Sequence, residues 1–338
     1  MLSGKLPSDR FPAESLRLLS LSPPALSSQH RALRDAAAAV ASRFSAAALV
    51  ELFERPIVIL SAPRSGSTLL FETLRCSEAL WSIGTESHFI FNAFPELHPA
   101  VRGYDSGALV EEAATPELYH QMRACFVVLA QDSEGRRFLD RPEALRPKRI
   151  RLLEKTPRNA LNVPFMRHLF PDLLALFLHR DPREAIASII EAWHTGLTRG
   201  GFVTFPDLPG WNLRHWCMLL PPDWQALNGK PVEEIAAFQW QSANEAILRE
   251  LRVIERRRWL SVRYRDLLDD TMTTVRRIAE FAGVPFDDGL RKRASGRLPL
   301  SRATVSAPDR DKWRRSATTI EALASRYAPL ERELAELG

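Results

Sequence analysis

Residues 58–74 read VILSAPRSGSTLLFETL. An apolar run breaks into a turn of Pro63, Arg64, Ser65, Gly66, Ser67 and Thr68, and apolar residues then resume at helical spacing. The run that leads in, IVILS at 57–61, is short, continuous and rich in β-branched side chains, the pattern of a strand covered on both faces. Strand, small-residue loop and a helix from Ser67 to about Cys76 open a βα unit. Such a loop brings backbone N–H groups and the positive end of a helix dipole to one point, which suits an anion. Gly66 lets the main chain approach it, the hydroxyls of Ser65, Ser67 and Thr68 add donors, and Arg64 supplies the cation. The Walker A pattern G-x-x-x-x-G-K-[ST] is not met. Its first glycine is missing, Pro63 stands where flexibility is expected, and an arginine replaces the lysine. The loop is therefore expected to hold a phosphate-like group without the usual triphosphate and Mg²⁺ cradle.

The rest of the chain continues the alternation. LWSIG (80–84), IRLLEK (150–155), LLALFLHR (173–180) and RWLSVRY (258–264) are expected as strands. Helices are expected up to about Glu54 and over 158–170, 181–193, 231–256 and 271–284, with Asp181 as a cap and Pro182 at the first helical position. This order predicts an α/β protein with three layers, α/β/α, around a mostly parallel sheet. Residues 89–149 read mostly as helices with a proline-rich exit. Residues 195–230 hold Trp211, Trp216 and Trp224 and read as ordered but irregular. With no repeat and no linker, a single domain over 56–320 is expected. An arm and helix over 1–55 precede it, and a C-terminal helix over 321–338 packs on it.

Composition narrows the class. A hydrophobic fraction of 45% with 26% charged residues fits a soluble chain that buries a sizeable core. The net charge of +5 and pI of about 9.4 are a mild excess, mostly arginine, that suits anionic ligands without singling out nucleic acid. The clusters RVIERRRW and KWRR read as solvated helix ends, so no nucleic-acid partner is expected. Cys76, Cys125 and Cys217 are widely spaced, with no C-x-x-C and no His/Cys ligand set, so neither a disulfide framework nor a metal site is expected. His215 beside Cys217 reads as packing. No apolar run reaches ~18 residues and no leader-like segment opens the chain, which predicts a cytoplasmic protein without stable membrane insertion.

A second element joins the first. LHRDPREAIASII (178–190) puts Arg180 at the carboxyl end of a buried strand and Ser188 eight residues on, a little over two helical turns. Ligands of open α/β sheets bind outside the carboxyl ends of the strands, so both segments face one crevice. Arg180 could grip a phosphate by paired hydrogen bonds, with Ser188 donating beside it.

At this point a resemblance is specific. APRSGSTLL resembles the 5′-phosphosulfate loop of sulfotransferases that use 3′-phosphoadenosine 5′-phosphosulfate (PAPS), and RDPREAIAS their 3′-phosphate motif. SVRYRDLL is similar to their strand-borne R-Y-x-D-L segment, and SAPDRDKWRR to their C-terminal lid region. All four stand in the family's order over residues 57–315. The arginine version of the first loop is closer to tyrosylprotein and bacterial sulfotransferases than to the cytosolic animal enzymes, which carry lysine. The resemblance implies the P-loop NTPase-like sulfotransferase fold, PAPS as donor, PAP as product, no metal, and a hydroxyl-bearing acceptor that is a small molecule, lipid, glycan or carrier-bound group.

It also implies roles. Arg64 and the Ser65–Thr68 amides would stabilise the departing 5′-phosphate, and Arg180 with Ser188 would hold the 3′-phosphate. Glu86 in SIGTESHF stands, after one inserted residue, where the tyrosylprotein type has its catalytic glutamate. Burial is expected to raise its pKa toward usefulness as a base. His88 is the rival, intrinsically better tuned near neutral pH. Lys155 would touch the transferring sulfuryl group or the bridging oxygen, with Glu154 and Arg158 as weaker candidates. Tyr264 would contact the 3′-phosphate or adenosine, and Lys312, with Ser306 beside it, would close the lid. The family's C-terminal R-K-G-x-x-G stretch and the usual catalytic histidine of its cytosolic animal members have no clear counterparts. Residues 89–149 and 193–230 are expected to build the acceptor pocket, with Trp193, Trp211, Trp216 and Trp224 read equally as apolar walls or as core packing. Two alternatives remain at this stage: a P-loop nucleotide-dependent kinase, and a non-catalytic adenosine bisphosphate-binding protein.

Overall fold

A computed structural model describes residues 23–307, 309 and 311–337; the first part of the expected N-terminal arm lies outside them. Its centre is a sheet of four parallel strands, β1 (Ile57–Leu60), β2 (Leu153–Lys155), β3 (Leu174–His179) and β6 (Trp259–Arg263), in the order β2-β1-β3-β6. A small antiparallel pair, β4 (Val203–Phe205) and β5 (Trp216–Cys217), lies apart from it. All residues of β1 and β3 are buried, as a strand between two layers of helices requires.

The two-residue period of a strand sorts the core into two halves. Ile57, Ile59, Leu174, Leu176 and Leu178 face the helices α3 (Ser67–Leu74) and α9 (Thr271–Ala282). Val58, Leu60, Ala175 and Phe177 face the larger half. That half gathers α1 (Ser28–Ala41), α2 (Ala46–Leu52), α4 (Pro116–Leu129), α5 (Val163–Leu169), α6 (Pro182–Arg199) and α7 (Val232–Leu251). The three-layer α/β architecture read from the sequence is the one observed. α6 starts as its sequence dictates, with Asp181 accepting from the amides of Arg183 and Glu184 and Pro182 at the first helical position.

Local departures have local causes. The helix expected up to Glu54 is two helices, because Ser45 caps a new start by accepting from the Ala48 amide. LWSIG does not become a strand: Trp81 and Ser82 make one bridge each, to Leu152 and Gln131, before Gly84 turns the chain. The helix expected over 158–170 splits into a 3₁₀ turn, Pro157–Leu161, and α5. The last strand stops at Arg263, and Tyr264 opens the short helix α8 (Tyr264–Asp269). Among the described residues no helix is long and apolar enough to cross a membrane.

Candidate functional site

β1 and β3 are neighbours, so the loops after their carboxyl ends meet. Gly66 sits there with φ +96°, and a Cβ on it would lie 2.3 Å from two atoms of the Tyr264 ring. The glycine is thus required twice, by its left-handed backbone and by the aromatic ring laid against it. The Arg180 guanidinium stacks over the other part of this assembly, 4.6 Å from the Tyr264 ring centre. It also donates through Nη1 to the Arg64 carbonyl at 3.2 Å and pairs with Glu184 at 2.9 Å. Glu184 in turn holds Arg265. Arg64, itself left-handed at φ +64°, donates through Nε to Ser188 Oγ at 3.2 Å and through Nη1 to the Ala303 carbonyl at 2.8 Å. Burial pulls its guanidinium below the ordinary value, while Glu191 opposes the shift and Arg180 adds to it. It stays charged all the same. Ser188 therefore stands between the two anion loops, where the sequence placed it with Arg180 alone.

Beside this lies the second group. Lys155, at the end of β2 and only 1% exposed, spans from Thr68 Oγ1 at 3.1 Å to Glu86 Oε1 at 2.5 Å. The other Glu86 oxygen faces His88 Nδ1 at 3.3 Å. The expectation for Glu86 is overturned in sign. Burial does push its carboxyl up, but the hydrogen bonds and charges of His88 and Lys155 outweigh it and hold the group at about 2. The turn carrying both residues is pinned from beneath. Ser87 Oγ donates to Glu154 at 2.7 Å, the Ser87 amide donates to Thr156 Oγ1 at 2.7 Å, and Asn159 donates to Ser87 Oγ at 3.2 Å. Glu154 is thereby a support of the turn; burial raises its carboxyl, with Thr156, Ser87, Asn159 and Lys155 pulling the other way.

A cavity of about 770 Å³ joins the two groups and touches every site residue predicted from the sequence except the buried Ser65, Glu154 and Lys155. Ser65 Oγ, fully buried, has no partner among the described residues. The Gly66 cradle and the two guanidinium groups beside it suit a phosphate-like anion. Along one side run residues 297–307, 309 and 311–313. Within them Lys312 pairs with Glu191 at 2.5 Å and with Ser306, and Arg302 donates to the Gly84 carbonyl at 3.3 Å. Among the described residues no cluster of His, Cys, Asp or Glu is gathered that could hold a metal ion.

For the tryptophans the structure favours core packing over pocket walls. Trp193, Trp216 and Trp224 are fully buried and, with Trp211, pack ring against ring at 4.8–6.3 Å. Their indole N–H groups are taken up internally, Trp193 by Gln239 and Trp224 by the Tyr104 carbonyl, and none of the four lines the 770 Å³ cavity. A buried indole must satisfy its N–H, and here the core does so. Sequence reasoning also missed Glu184 and Glu191. Both share one face of α6 with Ser188, at spacings of four and three, and that stripe was the available signal.

The sequence pattern of the Sulfotransferase family matches residues 56–220 and 213–288. Among curated proteins none matches the chain. The chain is similar in structure to the sulfotransferase STF9 of Mycobacterium avium, with 18% identity, 87% of this chain and 80% of that one covered, and a TM-score of 0.53. It also matches the sulfotransferase domain of the Synechococcus PCC 7002 olefin synthase, at 22% identity, 82% and 96% coverage and a TM-score of 0.43. A third match is mouse sulfotransferase SULT7A1 complexed with PAP, at 15% identity, 88% and 94% coverage and a TM-score of 0.37.

Proposed function

The chain belongs to the sulfotransferase family, and on that premise we propose that it moves a sulfuryl group from PAPS to an acceptor hydroxyl by in-line displacement, releasing PAP. Of the readings left open by the sequence, family membership favours this one over a kinase or a non-catalytic binder. The observation that carries the proposal is the convergence of Arg64 and Arg180 from the ends of β1 and β3 on one large cavity, around Gly66 and Tyr264. In this reading Arg64, the Ser65 hydroxyl and the first amides of α3 take the 5′-phosphate side. Arg180 and Ser188, backed by Tyr264, take the 3′-phosphate, and Lys312 and Ser306 cover it.

Sulfuryl transfer, like phosphoryl transfer, asks the protein mainly to position the reactants and to stabilise charge on the leaving oxygen. Lys155 is suited to that oxygen because it already bridges Thr68 and Glu86. Glu86 is the base: as Lys155 turns to the leaving oxygen, the carboxylate loses a partner that held it at about 2 and regains proton affinity. The His88 contact supports a second reading, in which Glu86 fixes the imidazole through Nδ1 and His88 takes the proton through Nε2. Turnover separates them. Glu86→Gln abolishes it in the first case and His88→Gln in the second, with PAP affinity kept in both.

Calorimetry with PAP tests the whole assignment. Arg64→Ala and Arg180→Ala are each expected to weaken binding about 10- to 100-fold, the range for a hydrogen bond to a charged group. Absence of PAP binding, or binding indifferent to both changes, refutes it.

A further inference from the structure

A second cavity, of about 260 Å³, opens behind the Glu86–His88 pair and shares His88, Asn92, Arg158, Thr204 and Leu219 with the large one. Its walls are largely apolar, with Phe91, Phe94, Phe205, Leu97 and Leu161 among them, interrupted by histidine, asparagine and threonine side chains. At the ~30 Å³ that a water occupies, it has room for roughly nine water-sized units, the body of an eight- to ten-carbon chain. Of its lining residues only Arg158 carries a permanent charge.

Arg158 is half-buried on the 3₁₀ turn after β2, three residues beyond Lys155. Burial pulls its guanidinium down to about 10, with Glu86 opposing, so it is a cation at neutral pH. Arg64, Arg180, Arg265 and Lys312 each have a bonded partner. The Arg158 guanidinium makes no hydrogen bond and no ion pair within 4.0 Å with any described residue. Its charge is felt by Glu86 at the mouth of the cavity and by His98 within it. A guanidinium that faces a cavity with no acceptor of the protein's own is free to form paired hydrogen bonds with an anion that enters it. The two nucleotide grips of the reading above follow β1 and β3, whereas Arg158 follows β2 and lines both cavities, at the junction of the large one with the smaller one.

Resting on the sulfuryl-transfer reading, we propose that Arg158 anchors an acidic group of the acceptor. The acceptor is then an apolar alcohol bearing a carboxylate, or an anion of like geometry, within a few atoms of the reacting hydroxyl. The apolar body fills the second cavity, the acid meets Arg158, and the hydroxyl faces Glu86 and His88.

The test is calorimetric, on the protein saturated with PAP, with 2-hydroxydecanoate and 3-hydroxydecanoate beside their methyl esters. At least one acid is expected to bind about 10- to 100-fold more tightly than its ester. Arg158→Gln is expected to remove that preference while PAP affinity stays, and Arg158→Lys to restore part of it. Equal binding of acid and ester, or no binding of either acid, overturns the anchor. So does an Arg158→Gln protein that weakens acid and ester alike, which would mark the residue as a wall or sulfuryl contact, or one that loses PAP. Wild-type protein that fails to bind PAP instead refutes the donor assignment, so the two failures are read separately.

Discussion

Replacing Lys155 with methionine isolates the electrostatics of the candidate base. The substitution nearly conserves volume at a site 1% exposed, so packing changes little while the ammonium is removed. In the wild type the Glu86 carboxyl stands at about 2 against an ordinary 4.5. Its folded value is depressed, so its contribution to stability is present above pH 4.5 and is lost as the pH falls toward 2. At ~1.4 kcal/mol per pKa unit the whole span is roughly 3 kcal/mol, of which roughly 1–2 kcal/mol disappears between pH 6.5 and 3.5. In Lys155→Met both contributions of the lysine are gone, leaving His88 and the charge of Arg158 to oppose the burial of Glu86, and the carboxyl moves toward its ordinary range. The stability gap between the two proteins, measured by urea denaturation, should therefore narrow by roughly 1–2 kcal/mol from pH 6.5 to 3.5. In a Glu86→Gln background the same lysine change should produce a gap that does not move with pH. Parallel curves in the native background would refute the coupling, and with it the idea that Lys155 sets the proton affinity of Glu86.

Gly66→Ala should disturb both the loop and the aromatic ring against it, since its Cβ meets Tyr264 at 2.3 Å on a backbone at φ +96°. A stability loss above ~1 kcal/mol is expected, with PAP affinity reduced at least tenfold by calorimetry; unchanged binding would count against the assembly of Gly66, Tyr264 and Arg180. His179 bonds Ser261 Oγ at 3.0 Å, and burial, aided by Arg263, lowers it from 6.5 to about 4. The unfolded chain binds its proton more readily, so the stability it confers is full above pH 6.5 and drains as the pH falls toward 4. Between pH 7.5 and 5 that loss is roughly 2 kcal/mol, and it should be absent from His179→Gln when the two proteins are unfolded side by side.

The parts of the fold that were legible in the sequence are those fixed by local pattern. IVILS and LLALFLHR could only be strands covered on both faces, and DPREAIAS announces its own helix start. The two anion loops could be paired because parallel strands send their carboxyl ends to one side. What stayed hidden depends on contacts across the fold. That Lys155 would hold Glu86 down, against burial, depends on β2 lying beside β1. That the tryptophans would form a dry cluster depends on Gln239 and the Tyr104 carbonyl arriving from distant segments to satisfy them. The isolation of Arg158 is equally invisible in sequence, since a lone arginine after a strand usually finds a carboxylate nearby.

The resting engagement of Arg64 has a consequence for the reaction cycle. Its guanidinium already serves Ser188 and the Ala303 carbonyl, so a phosphate competes with groups of the protein itself and wins only the difference. On the proposed reading, spent nucleotide would leave behind a cation that is not stranded, because those oxygens are ready to receive it. Tight holding would then be moderated at Arg64 itself, and release would be favoured by the same contacts.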